Sequence, residues 1–243
     1  MECIYGSNPE QVKNALIQDM AEKLKLNMPV LFLASGGSTA GLAADVCNGL
    51  AAGFPKDDSR LKWLLTVTLA DERWGAAGHS ESNWKLLLEK GLPVHRIGTV
   101  PLLKDDKDTG AAGMEDAVRA FEKLLGEAVE RRESGELHIA GLFGIGEDGH
   151  TAGILPGSPA SLCAEENRQD GPWAAGYSSA LFKRITITPA FLSHVDLALA
   201  WAGGASKMRA LAAIHSSDSF EDVPAKYLQT ARRSAVYTDQ ENR

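Results

Sequence analysis

Gly141-Leu142-Phe143-Gly144-Ile145-Gly146-Glu147-Asp148-Gly149-His150-Thr151-Ala152-Gly153-Ile154-Leu155-Pro156-Gly157 begins apolar, breaks into glycines, and presents an aspartate and a histidine before a short helical run. The apolar part extends back to Leu137, so residues 137–143 have the length of a buried strand. A strand that empties into a polar, glycine-rich turn is how open α/β sheets hold ligands at their carboxyl edge. This stretch makes His150 the candidate chemical group and predicts a parallel sheet around it.

The flanking sequence agrees. Residues 8–25 read as a helix, with Asn8 to cap it, Pro9 in its first turn and Gln11 at the capping-box position. Val12, Ala15, Leu16, Met20 and Leu24 form its apolar face. Residues 29–34 are a short apolar strand, followed by Ser35-Gly36-Gly37-Ser38-Thr39 and a helix over 39–52. The pattern recurs as a strand over 62–70, a helix over 80–90 closed by Gly91, a short strand within 95–101 and a long helix over 111–132. Past the central stretch, 156–179 reads as a long surface loop. Residues 183–188 and 195–201 follow as strands, then a helix opened by Gly203-Gly204-Ala205-Ser206-Lys207 and a last strand over 234–238. This alternation predicts one α/β domain spanning residues 1–243, a doubly wound and mostly parallel sheet with helices on both faces.

Bulk properties narrow the partners. A hydrophobic content of 44% and a charged content of 23% are ordinary for a globular chain. The net charge of −7 disfavours long-range attraction to nucleic acid or an anionic membrane, so an anionic ligand needs a local positive field. Cys3, Cys47 and Cys163 are scattered, without a CxxC spacing, and read as reduced thiols of a cytoplasmic protein. No signal peptide or membrane span is expected.

Four constellations bear on chemistry. In Ser35-Gly36-Gly37-Ser38-Thr39 the glycines allow close backbone approach, the next helix offers free N–H groups, and Ser38 and Thr39 add hydroxyls, a combination suited to phosphate. A plain capped turn is the alternative, and no Walker-type lysine follows. Asp71-Glu72-Arg73 stands at a strand end. It is either a self-neutralising ion cluster or an anion fork, in which Arg73 meets phosphate while Asp71 or Glu72 orients a neighbour or a sugar hydroxyl. Gly144, Gly146 and Gly149 satisfy the GxGxxG dinucleotide spacing, but Glu147 and Asp148 fall where a pyrophosphate would sit, so His150 is read as a general base instead. Lys207, in the first turn of its helix, is unfavourably placed for a cation unless an anion joins it; a solvated lysine is the alternative. Arg184 is a weaker candidate for the same task. The remaining histidines share no metal-ligand spacing, and neither a metal nor a cofactor is expected.

In their order, Ser35 to Thr39, Asp71-Glu72-Arg73-Trp74 with Ser82-Asn83, Gly144 to Ala152, Arg184 to Thr188 and Gly203 to Lys207 resemble the 6-phosphogluconolactonase family, within the wider group that includes glucosamine-6-phosphate isomerases/deaminases. The resemblance implies a Rossmann-like fold and a cytosolic, metal-independent lactone hydrolase of the pentose phosphate pathway. It implies that Gly36, Gly37, Ser38, Thr39, Arg73 and Lys207 hold the substrate phosphate and that His150 is the base. Two departures stand out. Ala40 replaces a proline usual in the family, and Gly153-Ile154-Leu155 replaces Ser-Leu-Phe. The Asp-Gly-His-Thr-Ala and Asp-Glu-Arg-Trp forms look like the lactonase branch.

The expected reaction is hydrolysis of 6-phospho-D-glucono-1,5-lactone. His150 and Asp148 are the catalytic pair, with Asp148 either orienting the histidine or meeting a sugar hydroxyl. Gly36, Gly37, Ser38, Thr39, Asp71, Arg73, Gly146, Gly149, Arg184 and Lys207 hold the substrate, and backbone N–H groups of 146–150 serve the oxyanion. The alternatives are a glucosamine-6-phosphate deaminase on the same fold, with Asp71 moving a proton, and a silent sugar-phosphate regulator. The expected partner is a small sugar phosphate, with no nucleic acid and no membrane, bound by a monomer or weak homodimer.

Overall fold

The computed structural model describes residues 1–104, 109–162 and 171–241. In chain order the first half runs β1 (Glu2–Ile4), α1 (Pro9–Lys25), β2 (Val30–Ala34), α2 (Ala40–Ala52), α3 (Leu61–Leu64), β3 (Leu65–Leu69), β4 (Asp71–Arg73), α4 (Asn83–Glu89) and β5 (Gly98–Val100). The second half runs α5 (Ala111–Glu133), β6 (His138–Gly144), α6 (Pro159–Leu162), β7 (Ala174–Ser178), β8 (Lys183–Ile187), α7 (Pro189–Leu192), β9 (Leu197–Trp201), α8 (Met208–Ile214) and β10 (Ser234–Tyr237).

Seven strands form a parallel sheet in the order β1-β10-β9-β6-β2-β3-β5. Every paired register in it is parallel. All of β2 and nearly all of β6 is buried, residue after residue. Successive strand side chains point to opposite faces, so both faces of the sheet must be covered, and this is why the two strands read as unbroken apolar runs. Fully burying one such Leu or Phe contributes about 1.5–3 kcal/mol, which fixes the register. The helix α1 forms as its sequence predicts. Asn8 accepts from the Gln11 N–H at 3.2 Å, and the Gln11 side chain accepts from the Asn8 N–H at 2.8 Å. Val12, Leu16, Met20 and Leu24 face inward. No helix among the described residues is long and apolar enough to cross a membrane.

The chain order decides where a ligand can sit. After β2 the chain moves outward through β3 and β5; it then returns to β6, beside β2, and moves outward the other way through β9 and β10. The carboxyl ends of β2 and β6 therefore flank the topological switch point, where two diverging connections leave a crevice. At the opposite end of β6, His138 bonds to Asp19 at 2.7 Å and lies 3.4 Å from Asp196, which also accepts from Arg132 at 3.0 Å. That histidine ties α1, β6 and the approach to β9 together, far from the crevice.

The structure departs from the sequence reading in four places. Residues 61–64 are a helical turn, so β3 starts at Leu65 instead of Lys62. Strand β1 escapes notice because three residues carry no periodicity. The expected loop 156–179 contains α6 and β7, while 163–170 lies outside the described residues. Most important, β8 is not in the main sheet: it sits between β4 and β7 in a separate antiparallel sheet of three strands. Ala70 is the pivot between the sheets. Its N–H donates to Ala34 at 2.9 Å in the main sheet, and its carbonyl accepts from Ile187 at 2.9 Å in the small one.

Candidate active site

The crevice is a cleft of about 360 Å³, the scale of a small ligand site. Its walls come from the turn after β2, from β4, from the turn after β6, from the start of β8 and from Lys207. The first wall is Ser35 to Ser38. Gly36 is there because nothing larger fits: a Cβ on it would lie 1.9 Å from the Asn83 Oδ1. The 3-10 turn Gly37–Thr39 leads into α2, so its opening N–H groups have no partner within the helix, the arrangement that suits an anion. Thr39 takes no part in this. It is fully buried, and its hydroxyl donates to the Gly36 carbonyl at 2.9 Å.

Strand β4 splits Asp71-Glu72-Arg73 by alternation. Glu72 points away from the cleft and is fully buried, accepting from the N–H groups of Arg73 (2.7 Å), Asn83 (2.7 Å) and Trp84 (3.0 Å) and from the Ser82 hydroxyl (2.9 Å). It is a carboxylate at the start of α4 that binds β4 to that helix, not a group for a sugar hydroxyl. Asp71 and Arg73 point into the cleft. Burial raises the Asp71 carboxyl above its usual range, opposed by the charges of Arg73, Arg184 and His150.

The antiparallel register places Arg184 opposite Arg73 and Thr186 opposite Asp71. Two like charges directly across a ladder destabilise it, and Asp71, 3.6 Å from Arg184, balances only one of them. Lys207 adds a third cation to the wall and makes no ion pair among the described residues. Among the described residues, the buried side-chain atoms without a hydrogen-bond partner are Ser35 Oγ, Arg73 Nε, Asn83 Oδ1, Arg184 Nε and His194 Nε2. All but the last belong to residues that line this one cleft. A buried polar atom left unpaired costs about 1–3 kcal/mol, so their concentration here describes a site shaped for a polar ligand, with the two arginine Nε atoms able to donate to an anion.

The turn after β6 supplies the histidine. Asp148 Oδ1 lies 2.5 Å from His150 Nδ1 and accepts the His150 N–H at 3.1 Å. The carboxylate fixes the ring and its tautomer, leaving Nε2 for the cleft that His150 lines. Gly146 makes room for this pair: a Cβ there would lie 2.0 Å from His150 Nδ1. Three of the five expected oxyanion donors in this turn are otherwise engaged. Gly146 N–H donates to the His150 carbonyl at 2.8 Å, Gly149 N–H to the Gly146 carbonyl at 3.0 Å, and His150 N–H to Asp148. Gly149 is a turn residue packed near Val223, not part of the wall.

The hydrogen bond from His150, acting against partial burial, holds the Asp148 carboxyl down at about 2. A depressed carboxylate stabilises the fold above its unfolded value and loses that contribution as pH falls through the folded one. Asp148→Asn should therefore be less stable than the wild type above about pH 4, the deficit shrinking toward pH 2. Urea midpoints measured across that range check it. Asp148 stays anionic at neutral pH, so an acid limb near neutrality in a rate profile belongs to another group.

Of the residues singled out from the sequence, the structure gathers Gly36, Gly37, Ser38, Asp71, Arg73, Gly146, His150, Arg184 and Lys207 around one cleft, with Asp148 directly behind His150. It turns Thr39 and Gly149 away. It adds Ser35, Asn83, Leu181 and Phe182. Asn83 carries a legible signal, since it follows Ser82, which caps α4. Nothing local marks Phe182, which reaches the cleft only through the pairing of β8 with β4.

Residues 8–237 match the family model described as glucosamine-6-phosphate isomerases/6-phosphogluconolactonase. A 6-phosphogluconolactonase of Pseudomonas aeruginosa is 27% identical over 234 residues, which cover 92% of this chain and 88% of that one. Among solved structures, a 6-phosphogluconolactonase from Trypanosoma cruzi aligns with a TM-score of 0.72 at 20% identity, over 98% of this chain and 94% of its own. A monomeric glucosamine-6-phosphate deaminase aligns with a TM-score of 0.69 at 17% identity, over 98% and 97%. At such identities the two structures speak for the fold alone, and they show that one fold accommodates both activities.

Proposed function

The chain belongs to the glucosamine-6-phosphate isomerase/6-phosphogluconolactonase family, and from that premise we propose that it hydrolyses 6-phospho-D-glucono-1,5-lactone to 6-phospho-D-gluconate. The observation that carries the reading is the pairing of a carboxylate-oriented histidine with three cationic side chains in one cleft. The name of the Pseudomonas aeruginosa relative favours the lactonase branch.

The phosphate docks against Arg73, Arg184, Lys207 and the N–H groups opening the 37–39 turn, which sets the lactone carbonyl beside His150. His150 Nε2 takes a proton from water as the water oxygen bonds to C1, and the carbonyl electrons move onto its oxygen. Asp148 stabilises the imidazolium that forms. Collapse of the tetrahedral intermediate breaks the bond from C1 to the ring oxygen, which leaves with the proton held by His150. Because the N–H groups of Gly146, Gly149 and His150 are committed within their turn, oxyanion stabilisation falls to the remaining N–H groups of that turn or to donors elsewhere on the wall.

The test is lactone hydrolysis measured against the spontaneous rate, with glucosamine 6-phosphate offered in parallel. Turnover of the lactone without ammonia release is the expected result. Ammonia release without lactone turnover would replace this reading with deaminase activity, and tight binding without any turnover would point to a regulator. Arg73→Ala and Arg184→Ala should each raise KM for the phosphorylated lactone about 10- to 100-fold, as loss of a charged hydrogen bond does, with a smaller change in kcat.

A further inference from the structure

Phe182 sits just ahead of β8, two residues before Arg184 and therefore on the same side of the chain as that arginine. Its ring centroid is 5.6 Å from Arg73 Cζ and 5.6 Å from Arg184 Cζ. Both distances fall within the reach over which an aromatic face attracts a cation. A phenyl ring has no hydrogen-bonding group, so it can engage the guanidinium faces without occupying their N–H edges. Among the described residues the Arg73 guanidinium otherwise has one hydrogen bond, to the Glu81 carbonyl at 3.1 Å, and Arg184 one ion pair, to Asp71. These are few restraints for two like charges held opposite each other.

The backbone that carries the ring is well anchored. The Phe182 carbonyl accepts from the Ser179 N–H at 2.8 Å and from the Ser179 hydroxyl at 2.7 Å, and the Phe182 N–H donates to Ser179 Oγ at 3.2 Å. One residue on, the Lys183 carbonyl accepts from the Trp74 N–H at 2.8 Å, which ties the hairpin to the chain leaving β4. The neighbouring Leu181 is 80% exposed while lining the cleft, so the hairpin tip forms its rim.

We propose that Phe182 is the positioning residue of the anion site. Its ring holds the two opposed guanidiniums by their faces so that their N–H edges converge on one phosphate, and it thereby sets the preference for phosphorylated over unphosphorylated lactones. The proposal rests on the reading that this cleft takes a sugar phosphate.

The experiment compares the full-length wild type with Phe182→Ala, Phe182→Leu and Phe182→Tyr, by calorimetric titration with inorganic phosphate and by steady-state kinetics on phosphorylated and unphosphorylated gluconolactone. Loss of two cation–ring contacts should weaken phosphate binding and raise KM for the phosphorylated lactone about 5- to 30-fold in the Ala and Leu variants. Their kcat should stay within about twofold, kcat/KM should fall much less on the unphosphorylated than on the phosphorylated lactone, and Tyr should restore wild-type values. The Leu and Tyr pair separates ring electrostatics from packing and remains informative if Ala folds poorly. Wild-type phosphate affinity in Phe182→Leu, or an equal loss on both lactones, overturns the proposal. A wild type that binds phosphate but hydrolyses neither lactone overturns the lactonase reading only, and the phosphate titrations then decide the role of Phe182.

Discussion

Replacing His150 with alanine should lower kcat for the phosphorylated lactone about 10²- to 10⁴-fold, the usual contribution of a positioned general base. KM should move much less, because the proposed phosphate contacts, Arg73, Arg184 and Lys207, lie on other walls of the cleft. The expectation follows from geometry. His150 is held through Nδ1 by Asp148 at 2.5 Å, so only one ring nitrogen is left to act, and the side chain is about a third exposed, accessible to water (34%). Steady-state hydrolysis corrected for the spontaneous reaction reads the effect. Near-normal turnover by His150→Ala would remove the histidine from the mechanism and leave the anion site intact.

Gly146→Ala should cost nearly as much activity without deleting any chemical group. An ideal Cβ at this position lies 2.0 Å from His150 Nδ1 and 2.6 Å from Asp148 Oδ1, inside any tolerable contact. Either the histidine leaves its carboxylate or the turn shifts, and both remove the orientation on which proton transfer depends. We expect kcat to fall to within about tenfold of the His150→Ala value, with the double variant no worse than His150→Ala alone, since groups acting as a unit do not add. Additive losses in the double variant, or wild-type kcat in Gly146→Ala, would show that the placement of His150 against Gly146 does not matter to the chemistry.

Much of this is visible in the chain before it folds. The capping box at Asn8 and Gln11, the apolar runs that become β2 and β6, and the glycine turns that follow them are local signals, each carried by a few adjacent residues. Such signals persist into the fold because buried strands must be apolar on both faces and because backbone approach at Gly36 and Gly146 excludes a side chain. For this reason His150, Gly36 and Arg73 could be picked out from sequence: each stands where a strand ends and a turn begins.

The rest depended on partners far away in sequence. Glu72 and Arg73 look alike as members of an acidic and basic cluster, yet one is sealed beneath α4 and the other faces the cleft. Thr39 looks like a phosphate donor until the Gly36 carbonyl is seen to take its hydroxyl. Sequence alone ranks Arg184 below Lys207 as an anion partner; its place opposite Arg73 follows from the β4–β8 register.

By itself, then, the sequence determined the parallel α/β architecture and the identity of the histidine turn, because strand burial and glycine turns are written in contiguous residues. Only the tertiary structure decided which charges share the cleft. That is set by a switch point between β2 and β6 and by an antiparallel pairing across more than a hundred residues, Arg73 against Arg184. Cross-strand register is a property of two segments together, and neither segment carries it alone.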